Sequence, residues 1–536
     1  MDNISQYWNK ANKNFLSTIS LSVSGGQIIL ILITVVILVI RILAINSPSL
    51  KWTAWKEIDY LYISQSYLNQ GFNFLRPEVG WPAEPPRVTE MELPLVPFLA
   101  ALLYKVVGYN VYSARLITLI AFLLIIIYTY KLVKRELGEF PAITAALAAG
   151  IIPLYNPFNR FLFTEPLMIA SSVASLYYLA EWVDNQRRSE WLLAFIMLTL
   201  AFSLKIETLY LLLPIFWIAF RKYNFQISRY KDFVLLISLT FIIPLIWYSY
   251  AYYLEMTGAH LFGIFRGHDK SQTISMLTDL RWYRTMAGRI INGIAGGIIG
   301  SCLFIIGFLS STWFRKGGLF FAYLTAIIAY FALVAEGQID APYRQMTIIP
   351  AMSVYIALGT QFIAVSLLAP FDIPQNLGTG LSQQRRYLLL SCMLIISLVP
   401  IQKYKSIIAE DGPVHWDRWL IAEEINKIAD DESKLVVLGE YSKHVGGYDL
   451  GPVLYFYTNL QGWTLTPKDW NLDYIDSLRQ KGAHLLVVLL PYGYPYEFIY
   501  LPESSPQEFI ESMKAKYPIM YENQDQLILN LRGQLP

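Results

Sequence analysis

Up to about Pro400 the chain alternates long apolar runs with shorter polar ones. Read by length, the runs predict membrane spans at 28–46, 112–130, 140–153, 165–182, 191–204, 208–220, 233–251, 289–310, 318–335, 346–367 and 387–401. Those at 140–153, 191–204 and 208–220 fall below the roughly 17–25 residues of a full crossing, so extended, tilted or re-entrant segments are expected among them. A large polar insert, 47–111, separates the first two runs. Inside it Ile58, Leu61, Tyr62 and Leu68 recur at helical spacing, which predicts a helix lying on the membrane surface. Beyond about Gln402 apolar residues come in short blocks between turn residues. Trp416 to Ile428 and Asp473 to Lys481 read as helices, Leu435 to Gly439 and His484 to Pro491 as strands. The expected architecture is an α-helical polytopic membrane domain of about 11 transmembrane helices over 1–401, followed by a small α/β domain over 402–536. Asp372 to Gln384, with Pro, Gly, Gln and Ser, reads as a cytosolic linker.

Composition agrees with the pattern and narrows it. Residues are 55% hydrophobic and only 15% charged, with mean hydropathy +0.40, too apolar for a soluble chain of 536 residues. Cys302 and Cys392 both lie in apolar runs, so neither a disulfide framework nor a cysteine metal site is indicated. The loops after even-numbered spans carry Lys131, Lys134 and Arg135; Arg221, Lys222, Arg229 and Lys231; Arg315 and Lys316; Arg385 and Arg386. Such loops face the cytoplasm. On that reading the N-terminal segment with Lys10 and Lys13 is cytoplasmic, the first run is a retained helix, and the odd number of spans puts the insert and the C-terminal domain outside. Nothing supports nucleic-acid binding. No phosphate-cradling glycine loop is present either, since Gly446-Gly447 and Gly451 lack the spacing.

The candidate chemistry lies in the insert, which reads Trp55-Lys56-Glu57-Ile58-Asp59-Tyr60 and then Glu90-Met91-Glu92-Leu93-Pro94-Leu95. A lipid-embedded enzyme that needs a carboxylate can keep it there without burying it in hydrocarbon. Glu57 and Asp59 are about 200° apart around a helix, so they cannot both enter one pocket. Two readings stand side by side for these acids: a catalytic base, or solvated charges on an exposed loop. Glu92, just before Leu-Pro, equally fits a helix start.

In order along the chain, Asp59 to Pro77, Glu90 to Leu95, Leu99 to Tyr104, Phe163-Thr164-Glu165-Pro166-Leu167-Met168, Leu204-Lys205 and Ala341-Pro342-Tyr343-Arg344-Gln345-Met346 with Pro350 form a series. The series resembles the bacterial relatives of protein O-mannosyltransferases and of aminoarabinose lipid A transferases, integral-membrane glycosyltransferases of the GT-C fold that use a polyprenyl-phosphate sugar. The resemblance implies Asp59 as general base on the acceptor hydroxyl, with Glu165 beside it in a catalytic role. It also implies Glu57, Glu92, Lys205, Tyr343 and Arg344 as substrate-binding residues, with the two cations against the lipid phosphate. Lys205 is followed by Ile206-Glu207 where the family has a small residue, so a Lys205–Glu207 ion pair is the competing reading. Glu165 equally fits an acid at a helix N-terminus. Arg41 is expected to snorkel to the outer interface or to meet the lipid phosphate.

These readings converge on an inverting, polyprenyl-phosphate-sugar-dependent transferase of the inner (cytoplasmic) membrane, active at its outer face. The acceptor would be a glycan, lipid or protein hydroxyl. The loop His260, Arg266, His268 and Asp269, with Arg281 and Arg284, has no metal-specific spacing, and a divalent cation stays open. The rival from another class is a transporter or flippase of lipid-linked saccharide. Paired Gly/Pro interruptions in two halves, which would favour it, are not evident. A structural assembly factor would explain the tail and leave the acidic insert unused.

Overall fold

The computed structural model describes most of residues 31–42, then 54–80, 87–151, 161–224, 230–258, 273–311, 317–368, 383–396, 416–438, 451–465, 469–489, 506–523 and 526–533, with a few residues between these segments. Lys10, Lys13, His260, Arg266, His268, Asp269, Arg315, Lys316 and most of the 372–384 segment lie outside the described residues.

Helices dominate up to residue 396. The longer ones are α1 Ala54–Asn69, α2 Leu95–Val107, α3 Val111–Leu137, α4 Glu139–Ile151, α5 Thr164–Asn185, α6 Arg188–Leu204, α7 Leu212–Tyr223, α8 Lys231–Thr240, α9 Ile242–Thr257, α10 Leu280–Arg289, α11 Ile298–Ser310, α12 Gly318–Leu333, α13 Ile349–Leu368 and α14 Gln383–Ile396. Local signals set their limits. Asn110 caps α3 by accepting the amide hydrogen of Tyr112, and Gly138 closes it at a φ of 98°. Among the described residues three stretches are long and apolar enough to cross a membrane: Val111–Leu137, Lys231–Thr257 and Pro342–Leu367. The expected span 289–310 is not one rod. Leu280–Ile294 and Ile298–Ser310 meet at 98°, because Gly296 and Gly297 both take positive φ, 77° and 91°, a conformation that glycine reaches without a steric penalty and that ends the helical ladder. Further on, α11 and α13 approach backbone to backbone, since a Cβ on Gly307 would lie 1.8 Å from the Tyr355 carbonyl oxygen and one on Gly359 1.9 Å from that of Leu303. Small residues allow this close crossing.

At one end of the bundle the predicted basic loops meet. Arg135 at the end of α3 pairs with Glu136, Glu181 and Asp184, Arg221 of α7 pairs with Glu136, and Lys222 lies 3.6 Å from Asp184. The ends of α3, α5 and α7 therefore share one face. Arg41 does not snorkel: it is buried over the Phe122 ring at 4.0 Å and donates to the Gly150 carbonyl.

The tail contains α15 Trp416–Ile428, α16 Gly451–Thr458, α17 Leu472–Gln480 and α18 Pro506–Lys516. Its longer strands are β1 Lys434–Leu438, β2 Gln461–Leu465, β3 Leu485–Leu489, β4 Ile519–Glu522 and β5 Gln526–Asn530. They form a mixed sheet in the order β2-β1-β3-β5-β4, parallel at β2-β1-β3 and antiparallel beyond. Both sheet faces are covered, one by α15 and α16 and the other by α17 and α18, which is why β1 and β3 are unbroken apolar runs. The four tail elements read from sequence all form; β2, β4, β5, α16 and α18 were not anticipated.

The tail is docked on the insert. Val453 and Phe456 of α16 belong to the same buried apolar cluster as Ile58, Leu61 and Tyr67 of α1 and Val96 of α2. Gln65 donates to Asn459, Arg87 to Gln461, and the Gly462 amide to the Gly80 carbonyl. Consequently α1 is not a surface helix on lipid: Ile58, Leu61 and Ile63 are all 0% exposed. Protein, not membrane, covers its apolar side.

Candidate active site

Opposite the Arg135 end, charges converge beneath α1. Lys56 stands in the first turns of α1. Glu92 precedes α2, whose start is set by Pro94. Glu165 sits in the first turn of α5, and Lys205 follows the last turn of α6 in extended backbone before the 3-10 turn Ile206–Leu211. Tyr343 lies on the 3-10 turn Pro342–Ile348 that opens α13. Helix ends thus aim all five side chains at one point. Lys205 Nζ is 2.8 Å from Glu92 Oε1 and 3.1 Å from Glu165 Oε1. Lys56 Nζ is 3.3 Å from Glu165 Oε1 and 3.8 Å from Glu92 Oε1. Two ammonium groups and two carboxylates alternate in a ring with no formal net charge. The Tyr343 ring, stacked on Phe163, lies under both lysines, 4.2 Å from Lys56 and 5.7 Å from Lys205, a cation–π arrangement.

Burial makes this ring electrostatically strong. Desolvation alone would push the Glu92 carboxyl up, but Lys205 and then Lys56 pull it well below the usual carboxylate range. Burial would pull Lys56 down, and the Glu165 carboxylate overrides it, so the ammonium stays charged above the ordinary lysine range. Tyr60, one turn beyond Lys56, is pushed up by burial and by Glu92. Its phenol keeps its proton, accepting from Thr164 at 3.0 Å and reaching toward Glu92 at 3.4 Å. Among the described residues Glu165 Oε2 is buried and has no hydrogen-bond partner.

The acids expected from sequence divide between two sites. Glu57 forms a fully buried bidentate pair with Arg115 of α3, both contacts 2.7 Å, and accepts the Leu162 amide at 2.9 Å. The expectation of solvated loop acids is overturned, since Glu57, Asp59 and Glu90 are all buried. Asp59 is buried on α1 three residues after Lys56, on the same face of the helix. The alternative Lys205–Glu207 pair gives way to Glu92 and Glu165, and Glu207 instead lies 3.9 Å from Arg344. Sequence reasoning missed Lys56 and Arg115. Arg115 had a signal, a cation followed by a long apolar stretch of its helix that requires a buried partner; Lys56, flanked by Glu57 and Asp59 in a mixed helix, had none. Among the described residues no group of three or more His, Cys, Asp or Glu could hold a metal ion.

Residues 86–248 match the family model for dolichyl-phosphate-mannose-protein mannosyltransferase, a segment that holds Glu92, Glu165 and Lys205 but not Lys56. Comparison with curated protein sequences finds no match. Among solved structures the chain is similar to ArnT from Cupriavidus metallidurans in the apo state, with 13% identity, TM-score 0.61, and coverage of 95% of this chain and 98% of that one. The same enzyme bound to undecaprenyl phosphate gives 13% identity and TM-score 0.61 over 94% and 97% of the two chains. The archaeal oligosaccharyltransferase AglB from Archaeoglobus fulgidus, in complex with an inhibitory peptide and a dolichol-phosphate, gives 12% identity and TM-score 0.55 over 86% of this chain and 69% of that one. The fold is that of the GT-C membrane glycosyltransferases.

Proposed function

We propose that this chain, built on the GT-C fold, transfers a sugar from a polyprenyl-phosphate donor to an acceptor hydroxyl at the outer face of the membrane, with inversion at the anomeric carbon. The observation that carries the reading is the buried Lys56–Glu92–Lys205–Glu165 ring, three of whose members fall in the segment matched to a lipid-phosphate-sugar transferase family. In the reaction the acceptor oxygen bonds to the anomeric carbon, the bond from that carbon to the phosphate oxygen breaks, and the acceptor proton passes to a carboxylate. Polyprenyl phosphate leaves with the electron pair. Each lysine ammonium has three donors, so Lys205 can hold Glu92 and Glu165 and still offer a proton to the departing phosphate. Arg344, held 3.9 Å from Glu207 two residues after Lys205, would add a third cation to the two lysines. We assign the base to Asp59, with Glu165 orienting the lysines. The insert and the tail would face outward and the Arg135 end the cytoplasm. The rival, a transporter of lipid-linked saccharide, needs no base.

The test uses purified protein in lipid nanodiscs with a panel of polyprenyl-phosphate sugars and acceptors extracted from envelopes of a deletion strain. Release of polyprenyl phosphate coupled to acceptor labelling is expected. Asp59→Asn should lower turnover about 10²–10⁴-fold with donor binding retained. Parental turnover in Asp59→Asn together with loss in Glu165→Gln would move the base to Glu165. Movement of intact donor across vesicles without its consumption would establish the transporter instead.

A further inference from the structure

The sequence leaves a divalent cation open, and two convergent carboxylates, Glu92 and Glu165, are the first place to seek one. The donor set does not suit it. Both Oε1 atoms already face two ammonium groups within 4 Å, at 2.8, 3.1, 3.3 and 3.8 Å. A metal ion entering between the carboxylates would meet two like charges in a buried site, a repulsion that low dielectric magnifies. Loss of the lysine protons would relieve it, yet Lys56 is held charged above the ordinary lysine range. The lone unpartnered polar atom of the ring, Glu165 Oε2, is a single ligand, short of the set that a divalent ion requires.

We infer that Lys56 and Lys205 together act as a built-in cation: their two positive charges occupy the place between Glu92 and Glu165 that a divalent ion would fill, and meet the donor phosphate in its stead. The inference rests on the same site as the proposed transferase but makes a separate claim, that this site binds no metal because side chains supply its charge. It assigns to Lys56, which lies outside the family-matched segment, a function distinct from helix packing. It also predicts a latent metal site. Removing one ammonium leaves two carboxylates, one of them with a bare oxygen, and a net negative charge.

The experiment titrates full-length protein with Mn²⁺ and reads free Mn²⁺ by electron paramagnetic resonance, with thermal unfolding in parallel. The parental protein is expected to take up no stoichiometric Mn²⁺ and to show no shift in Tm. Lys56→Met should gain one saturable site per chain and a raised Tm with Mn²⁺, both lost again when Glu165→Gln is added. Lys56→Arg, which keeps the charge, should gain nothing. Lys205→Met, which leaves α1 untouched, offers a second route to the same gain should Lys56→Met not fold. The inference is overturned if the parental protein binds one Mn²⁺ that Glu165→Gln abolishes, or if neither lysine variant acquires a site. Because cation binding is read without any sugar transfer, a chain inactive on every donor could still meet these expectations, and an active one could fail them.

Discussion

Removing one partner of the Glu57–Arg115 pair is the most direct test of how the insert is held. Both side chains are 0% exposed and joined by two contacts of 2.7 Å, and Glu57 also accepts the Leu162 amide. In Glu57→Gln the Arg115 guanidinium, which does not deprotonate in proteins, is left buried opposite a neutral amide. Breaking a buried pair from one side costs about 3–5 kcal/mol, because an uncompensated charge remains. Glu57→Leu combined with Arg115→Met removes both charges and keeps the volume, and such replacements are often neutral. The expected coupling energy is therefore about 3 kcal/mol or more, far outside the roughly 0.3–0.5 kcal/mol within which independent sites add. Thermal unfolding of the parental protein, Glu57→Leu, Arg115→Met and the double variant, followed by tryptophan fluorescence in one detergent, measures it. Activity should fall with Glu57→Gln because α1 carries Lys56 and Asp59. Single variants that melt with the parental protein, or a double variant whose loss equals the sum of the singles, would refute the reasoning.

Gly307→Leu should disrupt the α11–α13 crossing, since even a Cβ there would stand 1.8 Å from the Tyr355 carbonyl oxygen; the check is a lowered Tm and reduced yield of folded protein, against a mild Gly288→Leu, where nothing lies within 4 Å. Phe456→Ala, emptying a buried ring position shared by α16 and the insert, should cost about 3–5 kcal/mol and raise protease cleavage between the membrane portion and the tail. The pH dependence has a defined sign. Glu92 has a folded pKa lowered below its ordinary 4.5, so its stabilisation is fully present above that value and fades as pH falls through the lower folded one. Lys56, raised above 10.5, contributes fully below that value and loses its part only as pH rises through the higher folded one. The Tm difference between parental protein and Glu92→Gln should thus stay constant from about pH 5.5 to 9; a difference that collapses near neutrality would show that the ring is not ionised as described.

Local patterns carried much of this protein. Apolar runs placed α3, α5, α6 and α13 nearly where they form, and the change of pattern after Gln402 announced β1, β3, α15 and α17, because helix and strand periodicity depend on neighbours a few residues apart. Basic residues after the runs that became α3 and α7 likewise foretold that those two ends would share one face, where the acids Glu181 and Asp184 of α5 meet them. The bend at Gly296-Gly297 escaped, since glycine permits a positive φ without requiring one. What the tertiary structure alone decided was the pairing of charges. Lys56 meets Glu165 across 109 positions and Lys205 meets Glu92 across 113, and no local spacing encodes which helix ends will cross. The same holds for α16, whose apolar face is unremarkable until it covers α1. From sequence Glu92 reads as a helix start or a substrate contact, and Glu165 as a helix N-terminal acid or a catalytic one, with equal ease; only the folded chain, by removing water and supplying two ammonium groups, joins them in one ring.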